Sequence, residues 1–123
     1  MDTVEIANRY YDAWRLHAGD MSGVPLAEDL AVIGPVASFT DADGFRAMAA
    51  QAGAGVRSFA VRHQFAAGDL VCSVIDWEMD PVPGMMTSAE VLTIRGGMIV
   101  RGELIYDGEA LRRAMAESAP REG

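Results

Sequence analysis

The second half of this sequence is a succession of four strand-like segments with turn-like connections between them. The connections are rich in glycine, proline and aspartate, and the Gly96-Gly97 pair suits a tight hairpin. Consecutive antiparallel strands form a curved sheet whose concave face must be covered by helices, so the chain is restricted to an α+β fold. The predicted strands are residues 57–65, 70–79, 86–94 and 98–106.

The first half of the sequence supplies the covering helices. Residues 3–17 carry an apolar stripe at helical spacing, and a capping box at 40–43 opens a helix that ends at Gly53. These segments predict one domain over residues 1–118, followed by a frayed tail at 119–123. The domain either encloses a pocket between sheet and helices or packs as a sandwich without one. Shorter predicted elements are a helix over 24–29, strands over 30–33 and 36–39, and a last helix over 107–115.

Composition and charge exclude several classes of function. The net charge of −8, with no cluster of lysine or arginine to offset it, disfavours nucleic acid and anionic membranes as partners. Two histidines (His17 and His63) and one cysteine (Cys72) lack the spacing of a metal site, and no phosphate-binding loop is present. We therefore expect no metal and no cofactor. No membrane-spanning run or secretory signal is present, and a single cysteine fits a cytoplasmic protein.

Four segments, taken in order, resemble a known superfamily. The superfamily is that of the nuclear transport factor 2-like proteins. Residues 9–14 resemble its first helix, and residues 26–35 resemble the segment that follows that helix. Residues 68–71 resemble the entry to its sheet, and residues 97–107 resemble its final strand. The resemblance implies a cone-shaped α+β fold of the cystatin-like α+β barrel type and a homodimer formed through the sheet. It also implies kinship with SnoaL-like polyketide cyclases, ketosteroid isomerases and limonene-epoxide hydrolases. This fold hosts both enzymes and binding proteins.

The resemblance to ketosteroid isomerases identifies two candidate catalytic residues. Tyr10 matches the tyrosine that stabilises the negative oxygen of the intermediate, and Glu90 matches the protonated acid beside it. The catalytic base does not carry over, because its position falls near Gly34. From alternation alone, Glu90 shares a strand face with Leu92 and Ile94. If this face is internal, burial raises the pKa of Glu90; if it is external, Glu90 lies in solvent or at a dimer interface.

The other catalytic patterns of these relatives are incomplete. The strand that would supply the arginine and aspartate of an epoxide hydrolase contains Asp76 and Glu78 but no arginine, and the closest match to the cyclase aspartate is Leu104, with Glu103 beside it. His63 alternates with apolar residues on its predicted strand, so it is either a general base in place of the missing carboxylate or a core histidine.

Aromatic and apolar residues are the candidate contacts for a ligand. The hypothesis from sequence is a cofactor-free enzyme in which Tyr10, His63 and Glu90 perform acid–base chemistry on a small apolar metabolite of a cyclic or polyketide-like kind. The alternative is a non-catalytic module that binds a hydrophobic ligand or only dimerises. The predicted ligand-contacting residues are Trp14, Phe59, Trp77, Leu92 and Tyr106.

Overall fold

The computed structural model of the protein describes residues 1–118. The tail predicted at 119–123 lies outside the described residues. Within residues 1–118 the chain forms three helices and six strands. The helices are α1 (Thr3–Leu16), α2 (Ala42–Gly53) and α3 (Glu109–Ser118), and the strands are β1 (Leu26–Ile33), β2 (Ser38–Phe39), β3 (Val56–Ala67), β4 (Leu70–Met79), β5 (Met86–Arg95) and β6 (Met98–Ile105).

The six strands form one sheet in the order β2-β1-β6-β5-β4-β3. Neighbouring strands pair antiparallel except β1 and β6, which run parallel. The four strands predicted in the second half of the sequence are confirmed as β3 to β6. The sheet is curved and open, and the predicted α+β cone is confirmed.

Helix α1 covers the concave face of β3 to β6. The carboxylate of Asp2 accepts a hydrogen bond from the Glu5 amide at 2.8 Å and so caps the first turn. The buried stripe of the helix faces the sheet, and its aromatic members pack on one another: the rings of Tyr10 and Tyr11 are 5.1 Å apart at 73°. Helix α2, capped by Asp41, packs on β1 and β2. The apolar residues of these helices and of the facing strands form a continuous core.

The predicted helix over 24–29 is wrong, because β1 already begins at Leu26. Leu26, the first residue of β1, pairs with Ile99 of β6, and the pairing of these two strands is irregular between Leu26 and Ala31. Glu28 and Asp29, both exposed, lie in this irregular stretch and interrupt strand alternation. Pairing with β6 therefore determined a strand where the sequence predicted a helix.

None of the helices within residues 1–118 has the length and apolar composition that crossing a membrane requires.

Candidate functional site

Glu90 is a buried carboxylic acid on the concave side of the sheet. Strand β5 lies between β4 and β6, and its burial pattern alternates so that Ser88, Glu90 and Leu92 share the covered face. The residue is 3 % exposed. Of the two registers that sequence alone left open, the structure has the one that turns Glu90 toward the helices.

Tyr10 of α1 contacts this acid directly. Its hydroxyl donates a hydrogen bond of 3.0 Å to Oε2 of Glu90, and both residues are buried. The ring of Tyr10 is held between Tyr11 and Phe45, the latter stacked at 6.1 Å. Because a buried ring in such packing has little freedom, Tyr10 holds the carboxyl group of Glu90 in one orientation.

Burial makes Glu90 a much weaker acid than an ordinary glutamate. Desolvation raises the pKa of Glu90 to about 7, and the hydroxyls of Tyr10 and Tyr11 oppose this shift. Burial and the nearby charge of Glu90 raise the pKa of Tyr10 well above its ordinary value. Tyr10 therefore keeps its proton and remains a hydrogen-bond donor to Glu90, while Glu90 itself changes charge near neutral pH.

A cavity of about 470 Å³ lies beside these two residues, between the sheet and the helices. Tyr10 and Glu90 line it, and most of its wall is aromatic or apolar. The volume is in the range of cavities that bind small organic molecules. Apolar lining side chains include Trp14, Phe39, Phe45, Met48, Ile75 and Met79.

The mouth of the cavity is identified by those lining residues that are exposed to solvent. They come from the segment before β2, the end of α2, the turn after β4 and helix α3. Asp80 at this rim forms an ion pair with Arg57. The cavity therefore opens at one end of the cone, at Ala37, Gln51, Pro81 and Met115.

Four of the five predicted ligand-contacting residues line the cavity: Trp14, Phe59, Trp77 and Tyr106. Trp77 and Tyr106 pack edge to face with ring centroids 5.7 Å apart. Leu92, the fifth predicted residue, does not line the cavity. It shares the covered face with Glu90 but is 1 % exposed in the packed core, where no cavity space reaches it.

The placement of His63 in the pocket is also wrong. The pairing of β3 with β4 shifts by one residue between Val61 and His63, which is a β-bulge. Before the bulge, Val61 pairs with the inward-facing Ile75; after it, His63 pairs with the outward-facing Val74. The extra residue reverses the faces, so His63 is exposed on the convex side of the sheet, stacked on Phe65 at 6.3 Å.

The positions matched to other catalytic carboxylates also reach the cavity. Gly34 and Leu104, which the sequence resemblance matched to the isomerase base and the cyclase aspartate, both line it. Neither residue can accept a proton. Asp76, Glu78 and Glu103 form ion pairs with arginines away from the cavity lining.

Sequence reasoning missed Ser88 as a cavity residue. It is 2 % exposed, lines the cavity and accepts a hydrogen bond from the indole Nε1 of Trp77 at 2.7 Å. Its position two residues before Glu90 was the available signal, because residues i and i+2 of a strand share a face.

Comparison with known proteins agrees with this architecture. The family model of the SnoaL-like domain matches residues 7–102. Comparison with curated proteins finds no significant match. Similar solved structures include an NTF2-like protein of unknown function from Cytophaga hutchinsonii, with 15% identity, a TM-score of 0.79, and 91% of this chain and 96% of that chain covered.

Two further solved structures are similar over most of their length. A protein from Kribbella flavida has 26% identity and a TM-score of 0.78, with 92% of this chain and 93% of that chain covered. A hypothetical protein with a ketosteroid isomerase-like fold from Catenulispora acidiphila, in complex with trimethylamine, has 21% identity and a TM-score of 0.71, with 97% and 100% covered. Since the family model spans most of the sequence, the chain belongs to the SnoaL-like domain family, within the NTF2-like superfamily.

Proposed function

We propose that this SnoaL-like domain is a cofactor-free acid–base enzyme acting on a small apolar, cyclic or polyketide-like metabolite. The observation that carries the proposal is the buried Glu90 in the cavity wall, oriented by the hydroxyl of Tyr10 at 3.0 Å. A group that titrates near the working pH is an efficient proton carrier, and the pKa of Glu90, about 7, meets this condition.

The proposed reaction begins with the ionised form of Glu90. Its carboxylate takes a proton from a carbon next to a carbonyl group of the ligand; the electron pair of that C–H bond forms a C=C bond, and the π pair of the C=O bond moves onto the oxygen. Where this enolate is conjugated with a second C=C bond, return of the proton from Glu90 to the far carbon of that bond isomerises the ligand. If the enolate carbon instead attacks a second carbonyl group, whose oxygen takes the proton from Glu90, the ligand cyclises; if the enolate expels a β-hydroxyl group, which takes that proton and leaves as water, the ligand is dehydrated.

One carboxyl group is proposed to make both proton transfers. Of the cavity-lining residues within 1–118, Glu90 and Asp80 are the carboxylic acids, and Asp80 is exposed at the rim in its ion pair with Arg57. These roles differ from those that the resemblance to ketosteroid isomerases implies. Glu90 is the proton carrier and not a protonated acid that stabilises the negative oxygen, and Tyr10 positions Glu90. His63 has no part in the mechanism, because it lies on the other face of the sheet.

Deuterium exchange of α-tetralone tests the proposal without knowledge of the natural substrate. This bicyclic ketone has exchangeable hydrogens beside its carbonyl group, and their replacement in D₂O is followed by NMR. We expect the protein to accelerate exchange, with a rate that rises with pH and levels off above about 7, as Glu90 becomes ionised. Exchange no faster than in buffer at every pH would contradict the proposal.

Such a failure would favour a second candidate function, the binding of a hydrophobic molecule without chemistry. The observation behind it is the lining itself, in which aromatic and methionine side chains form most of the wall. Native mass spectrometry that detects an unmodified ligand in a protein without exchange activity would support this candidate.

We also propose that two copies associate through the convex face of the sheet. The registers align His63, Val74, Ala89 and Ile105 in one row across four strands. At the two ends of this surface Phe65 and Ile105 are 65% and 61% exposed. An exposed apolar area of this kind is usual for an interface.

Charge on the same face is compatible with a two-fold interface. Arg101 and Glu103 form an ion pair at 2.9 Å there, and in a symmetric pair each can also face its opposite in the partner.

Replacing Phe65 by glutamate should convert the dimer to a monomer, because a charge would be buried at the interface without a partner. Light scattering after gel filtration measures the mass. Leu16→Glu is the matched control, since Leu16 is 62% exposed at the end of α1, away from this face. A monomeric wild type, or a dimer that persists in Phe65→Glu, would contradict the proposed interface.

A further inference from the structure

Ser88 carries an unused hydrogen-bond donor on the wall of the cavity. Its Oγ accepts from Trp77 Nε1 at 2.7 Å. An indole nitrogen can only donate, so this bond uses a lone pair of Ser88 and leaves the hydroxyl proton available. Within residues 1–118, no group accepts a hydrogen bond from this hydroxyl.

The neighbouring backbone does not compete for that proton. Strand β5 is internal to the sheet, where Ser88 pairs with Ile75 of β4 and the adjacent Ala89 pairs with Ile105 of β6. Carbonyl groups in such ladders already have partners. Because Ser88 is 2% exposed and lines the cavity, the acceptor that would satisfy it is part of whatever occupies the cavity.

The indole of Trp77 also limits the rotation of the hydroxyl group. Trp77 is itself buried and held edge to face against Tyr106. A freely rotating hydroxyl group would lose conformational entropy when a ligand bound to it. The rotation of this one is already restricted before the ligand arrives, so that cost is smaller.

We infer that the hydroxyl group of Ser88 donates a hydrogen bond to a carbonyl oxygen of the ligand. The ligand is then a ketone-type compound. It lies along β5 with a proton-bearing carbon toward Glu90. The inference rests on the proposed function for the role of Glu90. Two residues along a strand are about 7 Å apart, so one small ligand can reach both side chains, with its carbonyl oxygen at Ser88 and the adjacent carbon at Glu90. A carbonyl group, which accepts hydrogen bonds and cannot donate them, complements the unused proton of this hydroxyl.

The test compares fluorenone with fluorene, two rigid molecules of nearly the same shape that differ by one carbonyl group. Neither undergoes the proposed reaction, so binding is measured alone by isothermal titration calorimetry. We expect wild type to prefer fluorenone, and Ser88→Ala to reduce that preference about fivefold by removing one hydrogen bond. Ser88→Thr retains a hydroxyl group and should restore the preference.

Thr93→Val is the matched control, because it removes a buried hydroxyl group from the same strand outside the cavity lining. It should leave the preference unchanged. Since Ser88→Ala leaves Trp77 Nε1 without an acceptor, folding of each variant is checked by circular dichroism. The ratio of the two affinities is independent of any general loss of binding.

A second measurement separates Ser88 from Glu90 as the donor. At about pH 9 Glu90 is ionised and cannot donate, so a preference for fluorenone that persists there supports Ser88. A preference that disappears there, an unchanged ratio in Ser88→Ala, or failure of wild type to bind either compound would overturn the inference. If the ketone preference depends on Ser88 but α-tetralone exchange is absent, the proposed function fails and the assignment of Ser88 stands.

Discussion

Replacing Glu90 by glutamine is expected to slow the protein-dependent deuterium exchange of α-tetralone by at least about a hundredfold. The amide oxygen of glutamine can still accept the hydrogen bond that Tyr10 donates to Glu90 at 3.0 Å, so the shape of the cavity is retained. The amide cannot take up a proton from carbon, and this removes the proposed chemistry.

Glu28→Gln is the matched control for this experiment. Glu28 lies exposed on β1 and does not line the cavity, so the same substitution there should leave the exchange rate unchanged. Equal exchange rates in Glu90→Gln and wild type would show that another group carries the proton.

The Glu90→Gln variant should also change how stability depends on pH. The pKa of Glu90 rises from 4.5 to about 7 on folding, so between these values the folded protein binds more protons than the unfolded chain. The free energy of unfolding of wild type therefore falls as pH rises through this window. The variant lacks this titration, so its stability relative to wild type should increase by about 3 kcal/mol between pH 4 and pH 8. Urea denaturation at both pH values measures the change.

Replacing Gly19 by alanine should destabilise the protein by more than about 3 kcal/mol. Gly19 follows α1 with φ +81, a left-handed conformation that costs a side chain about 1–2 kcal/mol. A Cβ atom there would lie 2.0 Å from the carbonyl oxygen of Ala49 and 2.9 Å from Cα of Gly53, so α2 would have to move away from the end of α1. Urea denaturation monitored by circular dichroism gives the free energy of unfolding.

Two other glycines separate backbone conformation from close contact. Gly68→Ala is the control for conformation, because Gly68 has φ +58 with no atom within 4 Å of an added Cβ; its loss should stay near about 1–2 kcal/mol. Gly53→Ala tests the cost of the close contact alone. Gly53 lies in α2 and has no left-handed conformation, but a Cβ there would lie 2.2 Å from the carbonyl oxygen of Ala18. A loss for Gly19→Ala no larger than that for Gly68→Ala would show that the helices separate without cost.

Local patterns predicted those parts of the fold that depend on neighbours in sequence. The hairpin strands β3 to β6 and helix α1 follow from alternation, turn residues and helical periodicity. The start of β1 could not be predicted in this way, since it results from pairing with β6 at the far end of the sequence. Long-range pairing leaves no local signal when the acids Glu28 and Asp29 interrupt the alternation.

The candidate site shows the same division at the level of single side chains. Tyr10 and Glu90 were found through family resemblance, but only the structure determines that they are hydrogen-bonded on the covered face. His63 was misplaced because strict alternation was assumed along β3, and the bulge before it has no glycine or proline to indicate it. Leu92 lies on the predicted face but beyond the reach of the cavity, since alternation specifies a face and not its depth.

The parallel pairing of β1 with β6 determines when the cavity can exist during synthesis of the chain. Strand β6 lies between β1 and β5, so the two halves of the sheet remain separate until residues 98–105 have left the ribosome. Pairings between distant segments of this kind also slow folding. Val32 of β1 and Leu104 of β6 both belong to the cavity wall, so the wall cannot form before β6 joins the two halves of the sheet. A nascent chain that stops before β6 can contain α1, Tyr10 and Glu90, yet it has no enclosed place for a ligand.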